Sequence, residues 1–268
     1  PFDGFFFFFI FTAQSEKLMQ SFAFSALLAA LALHFAPCWA AGRGTFGEFR
    51  RSLNATEHGY RLLADFTGAA PCKEIEAFEV RAGDAGKDAW YDDASNDRER
   101  SELTQINKDQ KNGDTYWYGW YIYFPQDYKN IFPAKVTLGQ FHQQNARPAW
   151  MFENGSGGYW LKNNLAEGLK DKFQLVDEND LRGKWHKVEV HAHWSENNDG
   201  FLKVWVDGAI KADYQGATMS AERVYFKYGI YRSFVSRYKQ TGKAEELPAQ
   251  SVYYTGVKRG SSRLSIQP

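Results

Sequence analysis

The sequence predicts an all-β protein folded as a two-sheet β-jelly roll, and three observations lead there. Tyr116 to Phe124 is a run of aromatic and β-branched residues closed by Pro125, a composition that favours strand over helix. Trp185 to Trp194 alternates Val188, Val190 and Ala192 with Lys187, Glu189, His191 and His193, the period of two expected of a half-buried strand. Turn sequences at Asn197–Gly200 and Asp207–Gly208 then flank Phe201–Val206, so this part of the chain reads as an antiparallel meander. No sustained helical period appears, and Leu161 to Lys172 is the one stretch read as a short helix or excursion.

The chain divides into three segments. Residues 1–18, with five consecutive Phe and no initiator Met, read as translated sequence upstream of a start at Met19. Residues 19–40 form an apolar run ending in Cys38-Trp39-Ala40, the pattern of a secretory signal peptide cleaved after Ala40. The run is short for a bilayer span, so no stable membrane anchor is expected and the protein reads as secreted. Residues 41–268 are one domain, long enough to bury a full core.

Charge excludes some functions. The 32 basic and 32 acidic residues become 31 and 30 once Lys17, Asp3 and Glu16 are set aside. Such a balance argues against a nucleic-acid binder working through bulk charge, so a polyanionic partner must meet a local basic cluster. Of the two cysteines, Cys38 would leave with the signal peptide and Cys72 would stay unpaired, so neither a disulfide framework nor a cysteine metal site is expected. Asn54-Ala-Thr56 and Asn154-Gly-Ser156 are glycosylation sequons.

Three stretches carry candidate chemistry. In Val136–Gln143, alternation puts Gln140 and His142 on one face and Phe141 on the other. An amide and an imidazole looking into one space suit a carboxylate-bearing sugar, the amide holding the carboxyl group while the imidazole moves a proton. In Asp97–Leu103, extended backbone puts Arg98, Arg100 and Glu102 on one face, where Arg100 and Glu102 also fit an ordinary surface pair. In Tyr225–Arg232, Tyr225, Lys227 and Tyr231 share one face, with Phe226, Tyr228 and Ile230 on the core side.

Together, Arg100-Ser-Glu-Leu103, Gln140-Phe-His142 and Tyr225-Phe-Lys-Tyr-Gly-Ile-Tyr231 resemble the motifs of the β-jelly-roll polysaccharide lyases, whose fold is concanavalin-like. The likeness runs from about Phe78 to Val257 and is similar to the group containing heparin lyase I and glucuronan lyase, with alginate-lyase-like motifs. Phe141 stands where alginate enzymes usually carry a small aliphatic residue. The resemblance implies a catalytic set of Arg100, Gln140, His142 and Tyr231, with Lys227 lining the groove. Arg98, Tyr225, Lys227 and Arg232 are assigned to substrate binding around it.

The implied reaction is β-elimination by an endo-acting, secreted, monomeric lyase on an anionic uronate polysaccharide. Gln140 and Arg100 would stabilise charge on the carboxylate, and Lys227 would favour the Tyr231 phenolate. Where the departing proton and oxygen lie on opposite sides of the ring, His142 would serve as base and Tyr231 as acid; where they lie on the same side, Tyr231 alone would take one proton and return one. No organic cofactor and no protein metal site are expected, although the sequence leaves room for calcium. Two alternatives stand beside this reading. Glu74, Glu76 and Glu79 are close to the three-carboxylate strand of sandwich-fold glycoside hydrolases, which needs a bulge to bring them to one face. Trp117, Trp150 and Trp160 could furnish the platforms of a non-catalytic carbohydrate-binding module, and His191 with His193 has metal-ligand spacing without an evident third ligand.

Overall fold

The computed structural model describes residues 43–165 and 172–268. The upstream segment, the leader and Cys38 lie outside these, as does the middle of the expected excursion. The described ends of that excursion are strand: Leu161–Asn163 close β9 (Tyr159–Asn163) and Lys172 opens β10 (Lys172–Val176).

Two antiparallel sheets pack face to face. One follows the order β13-β12-β11-β6-β15-β3-β2. Its members are β2 (Tyr60–Ala64), β3 (Glu74–Val80), β6 (Thr115–Tyr123), β11 (Trp185–His193), β12 (Phe201–Val206), β13 (Ala209–Gln215) and β15 (Gln250–Gly260). The other, the groove sheet, follows β1-β4-β14-β7-β8-β9-β10, with β5 paired to β14. Its members, besides β9 and β10, are β1 (Phe49–Arg51), β4 (Arg98–Gln105), β5 (Gln110–Lys111), β7 (Lys135–Gln143), β8 (Trp150–Asn154) and β14 (Arg223–Ser233). A short helix, α1 (Val235–Lys239), follows β14.

The meander forms as its pattern predicts. β11 pairs with β6 without interruption from Trp185↔Tyr123 to His193↔Thr115, and with β12 from Val188↔Val206 to His193↔Phe201. Tyr118, Trp120, Ile122, Val188, Val190 and Ala192 are all buried. They meet Phe141, Phe152, Phe226 and Tyr228 of the groove sheet in one apolar layer between the sheets. Burial of this kind supplies most of the driving force for folding.

Alternation fails at one place that matters. The register of β7 shifts at Thr137–Gly139 against β8, and opposite Tyr228–Tyr231 against β14. Leu138 and Phe141 are therefore both buried in the core, although three residues apart, while Gln140 and His142 face away from it. Carbonyls left unpaired at such an irregularity need partners. The Tyr254 hydroxyl, from the opposite sheet, donates to Leu138 O (2.5 Å) and lies 3.3 Å from Gly229 O.

Two sequence expectations change here. Cys72 is disulfide-bonded, which corrects the absence of any disulfide, and its partner lies outside the described residues. Both sequon asparagines are buried and engaged: Asn54 donates to Arg100 O (2.8 Å) and Asn154 to Gly158 O (2.6 Å). Neither is open to a glycan in the folded chain.

Gly229 sets a stability test. Its φ is +128°, and a Cβ there would lie 2.4 Å from Ser101 O and 2.7 Å from Phe78 Cδ1. Gly208, at φ +83°, would meet nothing within 4 Å. Gly229→Ala is expected to cost roughly 3 kcal/mol or more, from strain and overpacking together, and Gly208→Ala about 1 kcal/mol. Denaturant unfolding of the two variants checks this; equal losses would contradict the packing described.

Candidate active site

The three motif strands are neighbours in the order β4-β14-β7, so cross-strand pairing brings their polar faces together. Tyr231 pairs with Arg100, Lys227 with Gln140 and Tyr225 with His142. All six, with Arg98, line one groove of about 1790 Å³. Nine Lys and Arg side chains line it against three carboxylates, those of Asp88, Asp109 and Glu153. A chain of zero formal net charge thus concentrates positive charge in one place.

Arg232 is the exception among the predicted site residues. Its side chain is 0% exposed and points beneath the sheet, where Nη2 lies 2.6 Å from Glu99 Oε2 and Nη1 donates to Pro248 O (2.7 Å). Tyr231 and Arg232 are consecutive on a strand and must face opposite ways. Arg232 is therefore a buried structural cation, not a substrate-binding residue.

The floor of the site is built on Glu102, 1% exposed. Glu102 Oε2 lies 2.8 Å from Lys227 Nζ and 3.2 Å from Arg100 Nη1, and Oε1 accepts from Gln140 Nε2 (2.7 Å). Arg100 also donates from Nε (2.7 Å) and Nη2 (2.5 Å) to the buried Asp93 carboxylate. Burial opposes the charge on Glu102, but Lys227 and Arg100 outweigh it and hold the carboxyl below its usual range. The surface pair allowed by the sequence is thus a buried network of two cations and two carboxylates. Asp93 was missed, because nothing in an Asp-rich stretch marks one carboxylate as an arginine partner.

This network revises the role expected of Lys227. Its ammonium is committed to Glu102, and the cations beside Tyr231 are arginines. Arg98 Nε donates to Tyr231 Oη (3.1 Å), and the Arg100 guanidinium lies 4.3 Å from the Tyr231 ring centre. Arg98 is in turn set over the ring of Phe234 (4.2 Å). Phe234 has left-handed backbone (φ +58°), secured by a bond from its amide to Asp97 O (3.0 Å). Strain of this kind persists only where the surroundings hold it.

His142 and Tyr231 also have displaced proton affinities. Burial, then the Lys227 charge, lowers His142 to about 4, so the ring is neutral at neutral pH. Its Nδ1 lies 2.8 Å from Gln143 O and 3.0 Å from Tyr225 Oη. A carbonyl can only accept, so Nδ1 carries the hydrogen and Nε2 keeps its lone pair. Burial raises Tyr231 to about 12 against the opposing pull of Arg100, so its hydroxyl keeps its proton. Gln140 uses one amide hydrogen on Glu102 and retains the other. Of the five N–H groups of Arg100, three are committed to Asp93 and Glu102, which leaves two.

The hydrolase alternative does not survive the geometry. β3 pairs with β15 and β2 without a bulge, so Glu76 and Glu79 face opposite sides. Glu76 is buried against Arg43 (2.7 Å), Tyr60 and Tyr228 (2.8 Å each), and Glu79 pairs with Arg61 and Arg81. The aromatic platforms are also dispersed. Trp150 is buried with its indole bonded to Thr218 O (3.0 Å), Trp117 stacks on His191 in the other sheet, and Trp160 lies under Lys172. His193 bonds to Thr115 Oγ1 (2.7 Å), and among the described residues no group of three His, Cys, Asp or Glu could hold a metal ion.

The endo-β-1,4-glucuronan lyase of the fungus Trichoderma reesei superposes with a TM-score of 0.60 at 16% identity, covering 84% of this chain and 94% of that one. The marine PL7 alginate lyase of Zobellia galactanivorans gives 0.53 at 12% identity, covering 78% and 83%. The catalytic domain of a GH131 β-glucanase from Podospora anserina gives 0.52 at 12%, covering 85% and 90%. At these identities the likeness is one of fold, shared by lyases and a hydrolase alike. No curated protein sequence matches the chain significantly. The family described as Polysaccharide lyase matches residues 74–258, a span that takes in all three motif strands and most of the chain, and the protein belongs to that family.

Proposed function

We propose that this lyase is secreted and cuts within uronate-containing polysaccharides by β-elimination, acting as a monomer without an organic cofactor. The observation that carries the reading is the pairing, in one basic groove, of an imidazole with a free Nε2 lone pair and a tyrosine that holds its proton. Nε2 of His142 takes the proton from carbon 5 of the uronate. The bond from carbon 4 to the glycosidic oxygen breaks, Tyr231 gives its proton to that oxygen, and a double bond forms between carbons 4 and 5. The remaining N–H groups of Gln140 and Arg100 hold the carboxylate as charge builds on it. The approaching carboxylate also raises the proton affinity of His142 when a base is needed.

Supporting arguments come from several directions. Two of the solved structures compared above are lyases of glucuronan and of alginate, the first of them an endo enzyme. The groove is lined from Arg50 of β1 to Lys162 of β9, a course that suits a chain passing through rather than an end held in a pit. Residues 19–40 support export. Among the described residues no helix is long and apolar enough to cross a membrane.

A second assignment applies to uronates whose departing proton and oxygen lie on one side of the ring. Tyr231 then serves as both base and acid, a reading favoured by the hydrogen bond Arg98 donates to its oxygen and by Arg100 against its ring.

Incubation with glucuronan, alginate, heparin and pectate, followed by ultraviolet absorbance of unsaturated uronide, tests the reaction. New reducing ends without that absorbance would overturn it. Tyr231→Phe keeps the ring and removes the hydroxyl, so turnover is expected to fall roughly 100-fold or more with little change in KM or stability; near-normal turnover would remove Tyr231 from the chemistry. The pH dependence of kcat/KM separates the two assignments. A neutral His142 base is lost as pH falls through about 4, which predicts a plateau through neutral pH. A steady rise toward the Tyr231 value of about 12 would instead make tyrosine the base.

A further inference from the structure

An aromatic side chain at the edge of the groove has no part in the chemistry above. Trp90 is 93% exposed, and Tyr91 beside it is partly so. Singly exposed apolar residues need no explanation, but this one sits on a turn that is tied down at every level. The amides of Trp90 and Tyr91 both donate to Asp88 Oδ1 (2.8 Å), and Asp88 N donates to Tyr91 O (2.9 Å). Lys87 Nζ pairs with Asp92 (2.9 Å). At the base, Asp93 N donates to Gly86 O (2.9 Å) and Gly86 N to Asp93 Oδ2 (3.1 Å). The same Asp93 carboxylate grips Arg100.

The turn is thus an arm braced on a carboxylate of the active-site floor. Its position is given by its neighbours: Lys87, Asp88 and Tyr91 line the groove, and the Tyr91 ring centre lies 5.6 Å from the Arg100 guanidinium. Trp90 lies between Asp88 and Tyr91 in the chain, next to the tyrosine whose ring faces the Arg100 guanidinium.

We propose that the Gly86–Asp93 arm is a sugar-binding element in which Trp90 stacks on a pyranose ring of the polysaccharide, one beyond the uronate being cleaved. This rests on the uronate-polymer reading above. A pyranose presents a face of C–H groups that gains by leaving water for an indole, and a rigid aromatic side chain loses little conformational freedom on binding. Lys87 of the same arm lines the groove with its ammonium held on Asp92 (2.9 Å). The bonded turn fixes the backbone that carries the indole before substrate arrives.

The test compares the whole protein with Trp90→Ala in three measurements: thermal unfolding, affinity electrophoresis through gels containing glucuronan, alginate or heparin, and turnover on polymer and on short uronate oligosaccharides. Because Trp90 is exposed, the variant should unfold at the parent temperature. It should bind polymer roughly tenfold more weakly and show KM on polymer raised by a similar factor with kcat unchanged. Kinetics on the shortest cleavable oligosaccharide should match the parent, and Trp90→Tyr should restore most of the polymer affinity. A variant that binds and cleaves polymer like an active parent would overturn the arm while leaving the lyase reading intact. Equal losses on the shortest substrate would overturn the placement beyond the reacting ring. A parent protein neither retarded by any gel nor active on any polymer would remove the uronate reading, and the arm with it.

Discussion

The carboxylate of Glu102, sealed beneath the groove, is the constraint from which the rest of the site follows. An isolated charge there would be strongly disfavoured. It is tolerated because Lys227, Arg100 and Gln140 all direct hydrogens at it, and because Asp93 balances the second cation. The groups most concerned with substrate are therefore positioned by one another. Loss of either cation leaves excess buried negative charge, and breaking such a pair typically costs about 3–5 kcal/mol. It also explains a division of labour within the groove. The floor is locally neutral, so attraction for a polyanion comes from cations on the walls such as Arg98, Lys135, Arg147 and Lys162.

The sandwich behind this floor does more than bury apolar surface. Phe226, Tyr228 and Ile230 anchor β14 in the core, while Phe141 does the same for β7. With those rings fixed, the alternate residues have one direction left to face. The irregularity at Thr137–Gly139 sets where that alternation restarts, and the Tyr254 hydroxyl from the opposite sheet satisfies the carbonyl it exposes. Gly229, where a Cβ would strike Ser101 O, permits the close approach of β14 and β4. The geometry of the groove thus depends on contacts made on the other side of its sheet.

Much of this was legible from residue order because strand periodicity is a local property. Alternation in Trp185–Trp194 and in Tyr225–Tyr231 assigned faces correctly, and three motifs in sequence pointed to one groove. Arg232 went wrong by the same logic: it is out of phase with Tyr231 and could only have been buried. Strict alternation running back from His142 would likewise turn Leu138 toward the groove, and no local signal announces the register shift that buries it. Pairings between distant residues were beyond reach. Nothing near Asp93 marks it as the partner of Arg100, and the Lys227–Glu102 contact depends on strands brought together by the whole fold. The state of Cys72 also escaped a reading based on where the leader ends.

The central claim is that bond cleavage in this groove is an elimination, without water as a reactant. Cleavage of a uronate polymer in water enriched in heavy oxygen, with the fragments weighed by mass spectrometry, tests it most directly. The account predicts new non-reducing ends that carry the unsaturated uronate, and a pair of fragments whose combined mass equals that of the parent chain. Fragments heavier by one water, with heavy oxygen incorporated at the cleavage point, would mean hydrolysis and would contradict the mechanism.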